Sequence, residues 1–541
     1  MINSWKFLLR SDLPKNSLQQ LNFSVFGLGD SSYEKFNAMA KKLTQRLIDL
    51  GANLFHKVGL GDYQHDFNYE GEFDPWLNNL WQSMNKVLVG KFINLGDIPE
   101  DKLLPPIYKV EFMDHVAEEN YSTLNQLPPP NGAINKQVYL SKVIKNTRIT
   151  AEDHFQDTRH IVLDNSQQNK YDPGDIVMIQ PKNNPKQIQE FIERYGLKPN
   201  QLLKIKVDLE QLGQICSTSV IQFPEEGIKV EELFEYWLNL MDPPSRYFVK
   251  ILSFFVEDKQ RAEKLKEFAS KTSVITFFFI CFQEGKSEYH RYCIRERRTI
   301  PEVMLDFLVT DQFPLAYLIQ LAGRQRPREF SISSYHQKVP NEIHLTMAVT
   351  DYTTKFKRHK RGVCSSWLSE QDAEKTKETV PIWLEKGTMK IPPIKDGKTY
   401  PIIMVGPGTG VAAFRSFIQY LAQYPDQEIV LVFGSRSETK DYYYEDEWKQ
   451  YPNLKLITAF SRFQDDQKVY VQHKIRDESD YLSKLIIEKQ AHIYVSGRAK
   501  NMPKSVEKAF IEIIQKHYPD LNALEYVMKA RKNGQYQQEV W

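Results

Sequence analysis

The segment Pro401–Phe417, PIIMVGPGTGVAAFRSF, limits the fold more than any other part of the chain. The apolar run Ile402–Val405 has the composition of a buried parallel strand. It leads directly into Gly406-Pro407-Gly408-Thr409-Gly410, and an apolar-rich helical segment, Val411–Leu421, follows. A strand, a glycine turn and a helix together form a cradle for a pyrophosphate. Glycine lets the backbone come close to the ligand, and the helix N-terminus offers free N–H groups and a partial positive charge. The same pattern also occurs as a plain loop, so the downstream sequence has to decide.

Downstream, strands and helices alternate. Glu428–Phe433 ends in Gly434-Ser435-Arg436, Lys455–Phe460 in Ser461-Arg462, and Ile493–Val495 in Ser496-Gly497. Such alternation predicts a doubly wound parallel sheet with ligands beyond the carboxyl ends of its strands. Ser461, Arg462, Lys468, Tyr470 and Gln472 form a basic, hydroxyl-rich cluster at one such end. Arginine offers a planar fork to phosphate oxygens and lysine a point charge, whereas a free ribose hydroxyl would call for an acidic residue. The cluster therefore favours NADPH over NADH. Its alternative reading is ordinary surface charge.

Two further motifs lie upstream. Arg328-Glu329-Phe330-Ser331 sits within RPREFSISS, and Arg361-Gly362-Val363-Cys364-Ser365-Ser366 follows about thirty residues later. An aromatic flanked by Arg and Ser suits an isoalloxazine ring. Gly362–Ser365 would offer backbone and hydroxyl donors to a pyrophosphate.

With FGLGDSSYEKFNAMAKKL from Phe26, AFSRFQDDQKVYVQ from Ala459, VSGRAKNMP from Val495 and YQQEVW from Tyr536, these motifs resemble the diflavin reductases, the family of NADPH–cytochrome reductase. Within that family the chain is most similar to the NADPH-dependent diflavin oxidoreductase branch that serves cytosolic iron–sulfur assembly. Ser496 supports that branch, because cytochrome-type reductases usually carry cysteine there.

The resemblance implies an FAD site at Arg297, Arg328, Glu329, Phe330, Ser331, Gly362, Val363, Cys364 and Ser365, with Trp541 stacking on the flavin. It implies NADP contacts at Gly408, Thr409, Ser461, Arg462, Lys468, Tyr470 and Gln472. Ser331, Glu539 and Trp541 become the residues that support hydride transfer, by positioning and charge. An FMN site falls on Leu28, Gly29, Asp30, Ser31, Ser32, Tyr33, Glu34, Lys35, Phe36, Asn37 and Asp62. Tyr63 stands where relatives usually carry a carboxylate, and Ser505 where an acidic NADP contact is common, so that contact is not carried over. The implied cofactors are FAD, NADPH and FMN. The implied partner is an iron–sulfur acceptor of the anamorsin type, and the implied location is the cytoplasm.

The expected architecture is multidomain. Residues 1–90 form a flavodoxin-like α/β remnant and 91–133 a linker with LPPI and LPPPNG. Residues 134–390 form an antiparallel β-barrel for FAD, with a helical connecting insert at about 187–312. Residues 391–541 form an α/β NADPH-binding module. The first part has only the second half of a flavodoxin pattern, without the usual phosphate loop. It is therefore expected to be a truncated gene model or a fragment, with a genuinely FMN-less protein as the lesser alternative, and FMN binding is open. The insert Val274–Phe282, VITFFFICF, is far shorter than the ~20 apolar residues a membrane span needs. It reads equally as a buried lineage-specific element or as a translated intron.

Composition fits this picture. At 541 residues there is room for several domains of about 100–200 residues each. Lys+Arg 71 against Asp+Glu 69 leaves a net charge of +2, which implies no nucleic-acid patch. Cys216, Cys281, Cys293 and Cys364 lack metal spacing and suit a reducing compartment. A cytochrome-type reductase and a non-catalytic interaction remnant are the competing functional readings.

Overall fold

The computed structural model describes residues 2–31, 35–87, 101–113, 137–208, 210, 220–270, 285–309, 313–375, 378–393, 399–462 and 468–541. The expectations for Ser32, Tyr33 and Glu34, for the insert at 274–282 and for most of the 91–133 linker lie outside these residues. The chain divides into two compact units. One comprises residues 1–105, 243–298 and 302–309; the other comprises 106–242, 299–301 and 310–541.

The first unit holds short parallel strand pairs. β1 (Asn22–Phe23) pairs with β3 (Asn53–Leu54), and β2 (Phe26–Gly29) with β4 (Gly59–Asp62). β1 and β2 are separate short strands, broken at Ser24 and Val25. The residue offset between partners grows from 31 at Asn22↔Asn53 to 33 at Phe26↔Gly59, so the second chain bulges by two residues. Helix Ala38–Asp49 lays Leu47 against Phe23 and Ala52. Helix Glu70–Val87 buries Trp76, whose indole donates to the Lys57 carbonyl at 2.7 Å. Phe26 lies 4.9 Å from Phe73 and 5.0 Å from Trp76, ring centre to ring centre. Asp74 on this helix accepts from Arg246 at 2.8 Å and Lys286 at 2.7 Å. The first unit also contains helices Arg246–Leu252 and Lys259–Ala269.

The second unit has a three-stranded antiparallel sheet, a six-stranded antiparallel sheet, a small hairpin and a five-stranded parallel sheet. In chain order its strands begin with β5 (Tyr108–Met113), β6 (Tyr139–Arg148), β7 (Thr158–Asp164), β8 (Ile176–Ile179), β9 (Leu202–Val207) and β10 (Ile228–Lys229). Next come β11 (Arg328–Ser331), β12 (Glu342–Ala348), β13 (Asp351–Thr353), β14 (His359–Arg361) and β15 (Thr379–Glu385). The last are β16 (Ile402–Pro407), β17 (Ile429–Ser435), β18 (Leu454–Phe460), β19 (His492–Gly497) and β20 (Tyr536–Val540).

The six-stranded sheet runs β11-β8-β15-β6-β7-β12. The closed barrel expected from sequence is corrected here: among the described residues this sheet is antiparallel but open. Its two edges meet at the Ile332↔Leu345 bridge, at Ser333 N–H to the His344 carbonyl, 2.8 Å, and at His344 N–H to Ser334 Oγ, 3.1 Å. β11 is only four residues long, too short to pair along the seven residues of β12. The stretch 187–312 contains helices but also β9, β10 and two π-helical turns, Leu233–Trp237 and His290–Arg295.

The parallel sheet runs β18-β17-β16-β19-β20. β16, at its centre, alternates faces. Ile403 and Val405 enter the core shared with helices Val471–Asp477, Ser479–Ile487 and Met502–His517; Ile402 and Met404 enter the core shared with helix Val411–Leu421. Helices cover both faces, which is why these strands are continuously apolar. No helix among the described residues is long and apolar enough to cross a membrane. No grouping of three or more metal-ligating side chains occurs among them.

Candidate functional site

The glycine turn forms the floor of the site. Gly408–Gly410 is a single 3₁₀ turn between β16 and helix Val411–Leu421. Gly408 has φ +57° and open space where a side chain would stand. A Cβ at Gly410 would lie 2.2 Å from the Ser496 carbonyl at the end of β19, so only glycine fits this close crossing. These features, with the helix N-terminus, suit an anion such as a pyrophosphate.

The predicted basic residues gather at the same carboxyl edge. Ser461 N–H donates to the Ser435 carbonyl at 3.0 Å, and Arg462 N–H to the Arg436 carbonyl at 2.9 Å, which carries the β17–β18 ladder past the strand ends. Arg462, Lys468 and Tyr470 are exposed. Tyr470 immediately precedes helix Val471–Asp477, whose first turn contains Gln472. Arg436 is a neighbour that the sequence reading did not assign. Its guanidinium stacks on the Phe155 ring, 3.9 Å from the centre. Residues 463–467 lie outside the described chain.

The two upstream motifs also come together. β11 pairs with β8, placing Phe330 opposite Val177 and Ser331 opposite Ile176. Phe330 packs on the core that contains Cys364, Trp367 and Leu368. Burial pushes the Cys364 thiol up to about 12, and the nearby Arg328 guanidinium pulls in the opposite direction. Gly362 precedes the short helix Val363–Ser369, and Cys364 and Ser365 are buried. Ser365 Oγ accepts from Thr350 N–H at 3.0 Å, so this oxygen already secures the loop. A Cβ at Gly362 would strike that oxygen at 2.7 Å. Glu329 is exposed.

A carboxylate links the two sheets. Ser331 Oγ donates to Glu539 Oε1 at 3.4 Å, and Thr388 Oγ1 donates to Glu539 Oε2 at 3.0 Å. Thr388 was missed from sequence. It sits in the connection after β15, with no motif around it. Trp541 N–H donates to the Gly497 carbonyl at 3.2 Å and its carbonyl accepts from Ala499 N–H at 2.8 Å, while about half of its surface is open.

In the first unit Gly29, Ser31 and Asn37 are secured to β4 or the residue just after it, while Lys35 is exposed and Phe36 half-buried. Asn37 is left-handed at φ +53° and donates through Nδ2 to the Gly61 carbonyl at 3.0 Å. A Cβ at Gly29 would lie 2.7 Å from the Asn37 side chain. Asp62 Oδ1 accepts from Ser31 N–H at 2.8 Å and Gln64 N–H at 3.0 Å. Slight burial opposes ionisation of Asp62, but these bonds and the Ser31 hydroxyl outweigh it and hold its carboxyl below the usual range. Asp30 accepts from Gln64 Nε2, and Leu28 is strongly exposed. The loop therefore places Asp30 and Asp62 together at one strand end. Arg297, a left-handed residue at φ +49°, also belongs to the first unit.

Comparison with known proteins follows the same division. Residues 1–76 match the flavodoxin family model, 132–367 the FAD binding domain and 404–508 the oxidoreductase NAD-binding domain. NADPH-dependent diflavin oxidoreductase 1 of Xenopus laevis is 38% identical over 566 residues, covering 100% of this chain and 88% of that protein. The Danio rerio protein of the same name is 37% identical, over 99% of this chain and 88% of that one. The Arabidopsis thaliana protein is 33% identical, also over 99% and 88%.

Proposed function

The chain belongs to the NADPH-dependent diflavin oxidoreductase family, and from that premise we propose that it reduces an iron–sulfur protein of the anamorsin type in cytosolic cluster assembly. It is an NADPH-dependent oxidoreductase whose cofactors are FAD, FMN and NADPH. When bound, these groups supply the hydride and single-electron chemistry. The protein supplies binding, orientation and charge.

Gly408 and Thr409 approach the dinucleotide's pyrophosphate at the turn. Ser461, Arg462, Lys468, Tyr470 and Gln472 recognise its 2′-phosphate. Arg328, Phe330 and Ser331 hold the FAD ring and its ribityl–phosphate, and Gly362–Ser365 its pyrophosphate. Arg297 and Glu329 contribute further FAD contacts. Trp541 would stack on the flavin and would have to move aside for nicotinamide. Residues 28–37 and Asp62 hold FMN. The proposed domains are 1–90 for FMN, 134–390 for FAD with its insert at about 187–312, and 391–541 for NADPH, with 91–133 as linker.

The observation that carries this reading is the Ser331–Glu539 pair, which joins the RPREFS motif to β20 across 208 residues of sequence. Ser496 supports the iron–sulfur branch over the cytochrome branch. The test is to load the chain with both flavins and to compare NADPH-driven reduction of an oxidised iron–sulfur acceptor with that of a heme protein. Faster reduction of the iron–sulfur acceptor is expected. Preference for the heme protein would reverse the assignment of the partner.

A further inference from the structure

We infer that Thr388 is a positioning residue for the Glu539 carboxylate, held in register by a strap that crosses β20. This rests on the reading of Glu539 given above and extends it to a residue outside every motif.

The strap is residues 386–390, directly after β15. Thr388 Oγ1 donates to Glu539 Oε2 at 3.0 Å. Two residues on, Lys390 N–H donates to Gln537 Oε1 at 2.9 Å, and Gln537 Nε2 donates back to the Lys390 carbonyl at 2.9 Å. Residue 388 thus lies opposite 539 and 390 opposite 537. The strap runs antiparallel to β20, with side chains in place of backbone ladder bonds. Gln537 and Glu539 lie two apart on a strand and so project from one face.

The rest of the strap leaves Thr388 little freedom. Met389 turns away from β20 into the core of Ile402, Met404 and Phe417, with only 2% of its surface exposed. Tyr494 Oη donates to the Lys390 carbonyl at 2.8 Å. On the other side, Lys386 Nζ pairs with Asp172 at 2.7 Å and Asp175 at 2.9 Å. Gly387 passes so close to Gly174 that a Cβ there would lie 1.6 Å from the Gly174 carbonyl. Thr388 itself is exposed, and its side chain donates to Glu539.

Each oxygen of Glu539 therefore receives one hydroxyl, Ser331 on Oε1 and Thr388 on Oε2. A carboxylate held from both sides has one orientation; held from one side, it rotates. Positioning residues act on a rate through that orientation.

The experiment uses the full flavin-loaded chain and three variants, Thr388→Val, Thr388→Ser and Glu539→Gln. Single-turnover reduction of the FAD by NADPH gives the rate. Amide hydrogen exchange of residues 536–541, with and without FAD, reads the anchoring independently of activity. The expected result is a five- to tenfold slower rate for Thr388→Val, at an NADPH KM within about twofold, together with faster exchange at 536–541. Thr388→Ser should restore both, and Glu539→Gln should also be slow. A normal rate in Thr388→Val beside a slow Glu539→Gln would overturn the positioning role alone. A normal rate in Glu539→Gln would overturn the reading of Glu539 and the inference with it. Equal slowing in Thr388→Val and Thr388→Ser would assign the effect to the strap backbone and overturn the role of the hydroxyl.

Discussion

Arg415 Nη1 donates to the Ser333 carbonyl at 2.7 Å, tying the helix behind the glycine turn to the antiparallel sheet. The same guanidinium meets Glu447 Oε2 through Nε at 2.7 Å and lies 4.8 Å from the centre of the Tyr444 ring. Arg415 is buried, so its charge depends on Glu447 for compensation. Removing one partner of a buried pair leaves the other uncompensated and costs about 3–5 kcal/mol. Arg415→Ala should lower the stability of the chain in urea by roughly that amount. In a cycle with Glu447→Gln, the double variant should be more stable than the sum of the single losses predicts. Additive losses would mean that the two side chains do not depend on each other.

His160 accounts for an acid sensitivity. Burial, then the Arg415 charge and His344, hold its imidazole down to about 3 from an ordinary 6.5. In the unfolded chain it takes up a proton near 6.5, whereas the folded chain leaves it neutral. Its contribution is therefore intact above pH 6.5 and is lost as pH falls from there toward 3. Between pH 7.5 and 5.0 the loss is about 2 kcal/mol, from 1.36 kcal/mol per pH unit below 6.5. Denaturation curves at those two pH values should converge by about that amount in His160→Gln relative to the parent. An unchanged gap would show that His160 titrates alike in the folded and unfolded chains.

Arg462→Ala should weaken NADPH about ten- to a hundredfold and leave NADH nearly unaffected, because only NADPH carries the 2′-phosphate. Steady-state KM values for both nucleotides test this. Equal losses would make Arg462 a structural residue at the end of β18.

Trp541→Ala keeps the backbone bonds to Gly497 and Ala499 and removes only the indole. NADPH can supply the work of displacing that ring from its remote contacts at Ser461, Arg462 and Lys468, whereas NADH cannot. The ratio of NADH- to NADPH-driven ferricyanide reduction should therefore rise at constant FAD content. A constant ratio would leave Trp541 as a packing aromatic.

The parallel sheet was legible because β16 to β19 are apolar runs, each ending in a glycine, serine or arginine turn. β20 was not read as a strand, since Gln537, Gln538 and Glu539 have weak strand preference and only its pairing with β19 reveals it. The break between β1 and β2 also left no trace, because a bulge is a property of two partners and not of one run. Motif spacing located Ser331 and Glu539 separately; that they meet is a tertiary fact. Thr388, Arg415 and His160 carry no local signal, since their roles come from partners up to 284 residues away, as with His160 and Tyr444.

The crossing of Gly387 over Gly174 has a consequence for how the chain tolerates change. Two backbones in contact without side chains act like a key in a slot: a Cβ at Gly387 would meet the Gly174 carbonyl, and one at Gly174 the Met389 carbonyl. Chain added in the connection after Ile391 should therefore be taken up downstream, and the distance from Thr388 to Glu539 should not register it. A single methyl at either glycine should do what a longer connection cannot, shifting the strap out of step with β20.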